Sequence, residues 1–280
     1  MPLRWETLRP AVVITTVIGL VGLLFYPTLR WLVMSWLGNP YYSHGFLIPL
    51  VAAFFTWHRR HVFRQRRPSN LGFLVILIGI GLHLLALPWR MHVVSALALI
   101  VIAFGLVLTF FGRPAARALS FPLAFSGTAI PLPWVERFSP SLEAFVARYA
   151  TLGVRTIGVA ASNVGSQVQI ASQSFKVGAP CSGLRSIVVL LTLTVLFIYI
   201  TRGPWWGKLM LLVAALPIAL AANLLRVSSL FWVADTFGAD AGLRYYHTFS
   251  SPVLFLAAFG LLIASGRVLQ CAELRSDLYE

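Results

Sequence analysis

Residues 181–202 read CSGLRSIVVLLTLTVLFIYITR, an apolar run that begins at a thiol and ends at a basic residue. Cys181 and Arg202 are 21 residues apart, roughly 32 Å along an α-helix, which is close to the thickness of bilayer hydrocarbon. The run therefore predicts a membrane-spanning helix. The whole chain agrees, because 59% of its 280 residues are hydrophobic and 11% are charged, an unusual balance for a soluble domain. We expect an integral membrane protein.

Further apolar segments on both sides of this run predict an all-α bundle of about eight transmembrane helices in a single domain, residues 1–280. The segments lie at about residues 11–29, 44–57, 71–88, 92–112, 117–133, 183–201, 209–230 and 252–266. When they alternate across a membrane, most basic residues fall on one side, so the positive-inside rule places that side and both termini in the cytoplasm. The net charge of +14 does not predict nucleic-acid binding, since the basic residues form short clusters between apolar runs.

A long segment at about residues 134–180 is expected on the outer face. Residues 139–161 carry apolar side chains at helical spacing, which predicts an amphipathic helix at the membrane interface. Residues 168–177 alternate around a Ser/Gln-rich turn and predict a short β-hairpin that leads the chain to Cys181.

Cys181 is a candidate nucleophile. Pro180 suits the start of a helix, which predicts that Cys181 lies in the first helical turn, where the helix dipole favours an anion. Arg185 follows four residues later on the same face and favours the thiolate as well. The alternative is a small cysteine buried in the bundle. Cys271 is predicted at the opposite membrane face with a structural role, so a disulfide between the two cysteines is not expected.

Arg226 and His247 also lie at the outer ends of apolar runs. An arginine near hydrocarbon usually faces protein or water and can stabilise an oxyanion, although snorkelling to lipid phosphate is an alternative. A histidine titrates near neutrality and suits acid/base catalysis, although a surface histidine with no task is an alternative. Asn223, three residues before Arg226, projects from nearly the same helix face. His44 at the outer face and Ser182 beside the thiol are supporting candidates.

The sequence lacks the motifs that are typical of several enzyme classes. The sequence has no His-Glu-x-x-His zinc site, no Gly-x-Ser-x-Gly elbow, no phosphate-binding Gly-x-x-x-x-Gly-Lys loop and no Cys-x-x-Cys pair. The eight carboxylates show no spacing that suggests acid/base pairs. We therefore expect neither a metal nor a cofactor, and the chemistry left is that of cysteine, histidine and arginine.

Taken in order, these pieces resemble the exosortase/archaeosortase family of membrane-embedded cysteine transpeptidases, and specifically a bacterial exosortase. The CSGLR sequence alone is too short to identify a family, but the ordered set, over about residues 36–260, is specific. The matching pieces are YSHGFLIP at 42–49 with Trp57 and the following basic cluster, PLP at 131–133, the hairpin before CSGLR at 181–185, NLLR at 223–226, and His247.

The resemblance implies an enzyme of the bacterial inner membrane with its active site at the outer, periplasmic face. Its partners would be membrane lipid and secreted proteins with a C-terminal sorting tail, made of a Pro-Glu-Pro-like motif, a transmembrane helix and a basic end. Cys181 would form a thioester, Arg226 would stabilise the oxyanion, and His247 would act as acid and base. Arg185 is expected to bind the glutamate of the motif.

Two other functions fit the same residues. A transporter of an anionic solute would use Arg226 and His247 and would tolerate Cys181→Ala. A noncatalytic helper of polysaccharide export would tolerate substitution of all three residues.

Overall fold

Helices dominate the fold. The computed structural model describes residues 5–64, 67–170, 173–245 and 249–276. The α-helices are α1 (Trp5–Leu24), α2 (Tyr26–Gly38), α3 (Leu47–His58), α4 (Leu71–Ala86), α5 (His92–Phe111), α6 (Arg113–Ser126), α7 (Pro133–Glu136), α8 (Ser139–Thr156), α9 (Leu184–Ile200), α10 (Trp205–Phe237), α11 (Ala239–Tyr245) and α12 (Ser251–Val268). The strands are β1 (Ala161–Val164), β2 (Gln167–Ile170), β3 (Gln173–Lys176), β4 (Thr201–Arg202) and β5 (Glu273–Leu274).

The chain divides into two compact units, unit 1 at residues 1–131 and unit 2 at residues 132–280. In unit 1, α4 and α5 pack along their lengths as an antiparallel pair. Gly72 shows how close they come, because a Cβ atom there would overlap the side chain of Thr109 on α5. Small residues of this kind allow close helix packing in a membrane, where hydrophobic burial contributes little between helices.

In unit 2, α10 lies between two buried apolar clusters. One face, including Val227 and Phe231, packs with α8 and the sheet, and Cys181 contacts this cluster. The other face, including Leu211 and Ala219, packs with α9 and α12. Helix α10 therefore contributes to both clusters and is the central helix of unit 2.

Fewer helices than expected are long enough to cross a membrane. Within the described residues, α5, α10 and α12 are long and apolar enough, and the number rises to five if each of two bent helix pairs is one span. One such pair is α1 with α2, bent by 69°. Helices α4 and α9 are apolar but have 16 and 17 residues, about 25 Å of helical rise and less than the hydrocarbon thickness. Each of the eight predicted segments contains a helix, but the count of eight spans is not confirmed.

Two small sheets accompany the helices. Strands β2 and β3 pair antiparallel, with Val168 opposite Phe175, in the segment expected to form a hairpin. β1 adds a third strand that the sequence did not predict, and β4 with β5 forms a second sheet that was also not predicted. The amphipathic helix expected at residues 139–161 ends at Thr156 as α8, and its apolar residues Val146 and Val154 are fully buried in the protein core.

Candidate active site

Cys181 ends a short 3-10 helix, Ala179–Cys181, and does not lie in the first turn of α9 as expected. The prediction is wrong because Gly183 adopts a left-handed backbone conformation, with φ at 81°, and α9 begins only after it, at Leu184. The Cys181 N–H donates to the Gly178 carbonyl at 2.8 Å. The half-buried thiol is therefore carried by a tight loop before the helix, residues 178–183, which we name the Cys181 loop.

Ser182 braces this loop. Its side chain is fully buried, and its hydroxyl donates to the Ala179 carbonyl at 2.8 Å. The same hydroxyl accepts the Leu184 N–H at 3.3 Å. The Ser182 hydroxyl thus forms hydrogen bonds with the backbone before and after Cys181. These bonds link the Cys181 loop to the start of α9.

Helix α10 binds the Cys181 loop through two side chains. Asn223 Nδ2 donates to the Cys181 carbonyl at 2.9 Å, and Arg226 Nη2 donates to the Pro180 carbonyl at 3.0 Å. The three-residue spacing puts both side chains on one face of α10, so they reach two successive carbonyls of the loop. Three predicted site residues, Cys181, Asn223 and Arg226, are therefore neighbours in space.

Gly183 permits this contact. A Cβ atom on Gly183 would lie 2.7 to 3.0 Å from the Asn223 side chain, closer than real Cβ contacts allow. The positive φ of Gly183 adds a second reason for glycine, because a side chain there strains the backbone. The Cys181 loop therefore approaches α10 as closely as a glycine allows.

Gly183→Ala is expected to destabilise unit 2 by about 2 to 4 kcal/mol, the sum of backbone strain and the clash with Asn223. Thermal unfolding of the purified protein in detergent measures the change. Gly158→Ala is a matched control, since Gly158 has φ at 92° and nothing lies within 4 Å of an added Cβ. This variant therefore introduces backbone strain without a steric clash. Equal destabilisation by the two substitutions would contradict a role for the close approach to Asn223.

A small cavity of about 20 Å³ lies beside the guanidinium, among α9, α10 and α12. That volume suits a single water molecule. Its polar lining consists of Ser186, Asn223, Arg226 and Ser251, and Arg226 Nη1 donates to Ser251 Oγ at 3.4 Å. Asn223 Oδ1 is buried and accepts no hydrogen bond from the described residues. The sequence reasoning did not select Ser186 or Ser251, although Ser251-Pro252 marks the start of α12.

The other predicted site residues have different positions. Arg185 is exposed at the second residue of α9, four residues after the thiol. His44 belongs to unit 1, where it lies in the 3-10 helix Ser43–Phe46 with its ring stacked on Tyr42. His247 lies outside the described residues, and Ser251 follows it by four residues. The roles assigned to all of these side chains stay predictions.

Cys271 differs from Cys181 in its surroundings. It is fully buried, and its thiol donates to the Leu269 carbonyl at 3.3 Å. Burial raises the pKa of the Cys271 thiol, and the nearby Lys208 opposes that shift. Both cysteines are free thiols. Among the described residues, no cluster of three or more His, Cys, Asp or Glu side chains is arranged to hold a metal ion.

Comparison with known families identifies a match. The model of a family described as transmembrane exosortase covers residues 36–264 of the chain. The matched range contains Cys181, Asn223, Arg226 and His247 and amounts to most of the sequence. No curated protein and no solved structure matches the chain.

Proposed function

Because the chain belongs to the transmembrane exosortase family, we propose that it cleaves the C-terminal sorting tails of secreted proteins as a membrane-embedded cysteine transpeptidase. The observation that supports this most directly is the pair of hydrogen bonds from α10 to the Cys181 loop. They set a guanidinium next to the segment that carries a half-buried thiol. A nucleophile beside a cationic hydrogen-bond donor is the pairing that acyl transfer through a thioester needs.

In the first half-reaction, the Cys181 thiolate attacks the carbonyl carbon of the peptide bond at the sorting motif. A carbon–sulfur bond forms, and the carbonyl oxygen becomes an oxyanion that Arg226 stabilises by hydrogen bonding. The carbon–nitrogen bond then breaks, and His247 gives a proton to the departing amine. The products are a thioester on Cys181 and the released tail.

In the second half-reaction, an amine or a water molecule attacks the thioester carbon. His247, now neutral, takes the proton of the incoming nucleophile, and Cys181 leaves as a thiolate. The cavity beside Arg226, Asn223 and Ser251 has space for one water molecule near the loop, which supports this assignment of the site.

The substrate class follows from the membrane setting. Apolar helices and family membership make this a multi-pass membrane protein. The distribution of basic residues favours cytoplasmic termini and an active site at the outer face of the bacterial inner membrane. A substrate held in the same bilayer by its own transmembrane helix would present its Pro-Glu-Pro-like motif at that face. We propose that Arg185, which is exposed on α9, attracts the motif's glutamate.

Hydroxylamine capture tests the proposal. The chain is co-expressed with a tail-bearing substrate, membranes are treated with hydroxylamine, and the new C-terminus of the substrate is sequenced by mass spectrometry. Hydroxylamine attacks thioesters, so the expected product is a substrate that ends in a hydroxamate at the motif.

A substrate whose motif glutamate is changed to glutamine is the matched control, and less hydroxamate is expected from it because Arg185 loses its charged partner. A substrate that keeps its intact tail in the presence of the unsubstituted chain would contradict the proposal. So would cleavage that leaves only a carboxylate and persists in Cys181→Ala, because it would indicate direct hydrolysis without a thioester.

A further inference from the structure

Three buried polar side chains in unit 1 form a hydrogen-bonded chain that the proposed active site does not use. His83 Nδ1 lies 2.8 Å from Ser95 Oγ, and Ser95 Oγ is also hydrogen-bonded to Thr28 Oγ1. Their exposed fractions are 1%, 4% and 2%, respectively. They come from the apolar helices α4, α5 and α2. Polar groups inside such helices are costly, and they commonly mark a functional site.

This series of hydrogen-bonded side chains ends at a cavity. A cavity of about 290 Å³, at the low end of ligand-sized pockets, lies where α4 ends and α5 begins. Thr28 and Ser95 line it, so the hydroxyl end of the polar chain faces the space. Arg90 and His92 supply the other polar walls, and Pro27 and Met91 are among the apolar ones. The cavity therefore combines several hydrogen-bond donors with an apolar surface.

Arg90 is held in an unusual conformation. Its φ is 49°, in the left-handed region that few non-glycine residues adopt. The turn around it is fixed by hydrogen bonds from the Arg90 N–H to the Leu87 carbonyl at 3.1 Å and from the Met91 N–H to the Ala86 carbonyl at 3.0 Å. No carboxylate of the described residues pairs with its guanidinium. Arg90, an exposed residue, thus contributes a cation to the lining of the cavity, which favours an anionic ligand.

His92 supports the same conclusion. It is the first residue of the 20-residue helix α5, and the dipole of a helix favours an anion near its N-terminus. Its ring is stacked on Trp31, with centroids 5.2 Å apart and planes 16° apart, which fixes the imidazole at the cavity wall.

We propose that this cavity binds the phosphate group of a phosphorylated amphiphile. Arg90, His92, Thr28 and Ser95 all line the space, and a phosphate has enough acceptor oxygens to bind several such donors at once. The apolar walls suit the carbon chain beside the phosphate. The cavity lies at helix ends, the depth at which lipid headgroups meet a membrane protein, so a lipid phosphate and a soluble phosphate ester are the two sources to distinguish.

The test uses the full chain purified in maltoside micelles, which contain no phosphate. Three probes are titrated and binding is measured by native mass spectrometry: short-chain phosphatidic acid, the matching diacylglycerol, and glycerol 3-phosphate. Phosphatidic acid is expected to bind and diacylglycerol is not, because only the first carries the phosphate. Binding of glycerol 3-phosphate as tight as that of phosphatidic acid would support the same site with a soluble ester as its source.

Arg90→Gln is expected to weaken phosphatidic acid binding at least about tenfold, since it removes a charge-assisted hydrogen bond. Arg137→Gln is the control, because Arg137 is an exposed arginine of unit 2 and its loss should leave binding unchanged. Leu87 also lines the cavity, and Leu87→Trp keeps every polar group while adding bulk there, so it should also abolish binding. Thermal unfolding verifies that each variant is folded.

Three results would overturn the proposal. One is equal binding of phosphatidic acid and diacylglycerol, which would show that the phosphate is not recognised. A second is full binding by Leu87→Trp, which remains decisive even if Arg90→Gln does not fold. An equal loss with Arg90→Gln and Arg137→Gln would likewise show general charge attraction in place of a site.

Discussion

Cys181→Ala is expected to lower the cleavage of a tail-bearing substrate at least about 10³-fold, because removing a nucleophile removes the whole covalent pathway. The measurement is the ratio of processed to unprocessed substrate after co-expression, followed over time. The loop should remain folded in this variant, since the bonds from Asn223 and Arg226 are made to backbone carbonyls and not to the thiol.

Cys271→Ala provides the control for the same experiment. Cys271 is fully buried and its thiol pKa is raised by burial, so it is a poor nucleophile. Its replacement is expected to leave processing unchanged and to cost about 1 kcal/mol of stability through lost packing. Undiminished processing by Cys181→Ala would overturn the nucleophile assignment and favour a transporter or a noncatalytic helper.

Arg226→Lys is expected to lower the rate of processing about 10²- to 10³-fold, the usual cost of losing one oxyanion donor. Lysine keeps the charge, but it cannot bind the Pro180 carbonyl and Ser251 through two separate nitrogen atoms as Arg226 does. Pulse-chase labelling of the substrate measures the rate. The matched control is Arg155→Lys, at an exposed arginine of α8, which should have no effect.

A second readout separates the two tasks of Arg226. If the guanidinium mainly positions the Cys181 loop, alkylation of the thiol by a small maleimide should change in Arg226→Lys together with processing. If it mainly stabilises the oxyanion, alkylation should stay the same while processing falls. Full processing by Arg226→Lys would show that the reaction does not need the planar guanidinium of arginine.

Hydropathy located the helices of this chain more reliably than it located their ends. The apolar segment at residues 209–230 corresponds to α10, which continues to Phe237, so Arg226 lies inside the helix and not at its end. Hydropathy reports which residues suit hydrocarbon, whereas α10 ends where Gly238 adopts φ at 90°. The same reason applies before α9, where the backbone conformation of Gly183 decides where the helix begins.

The sequence predicted which residues belong to the candidate site, but it did not predict how they are arranged in space. Cys181, Asn223 and Arg226 were selected because polar groups are rare at the ends of apolar runs. Their approach depends on how α10 packs against the Cys181 loop, and equal depth in a membrane does not predict that contact. The hydrogen bonds among Thr28, Ser95 and His83 were not predicted for the same reason, because they join three helices and no sequence pattern links the three residues.

The two bonds from α10 to the Cys181 loop also bear on motion. Since both donors lie on one face of a single helix, a tilt of α10 carries the loop with it, and the thiol and the guanidinium travel together. The other face of α10 is packed against α9 and α12, so we expect the loop and the guanidinium to keep their spacing when substrate binds.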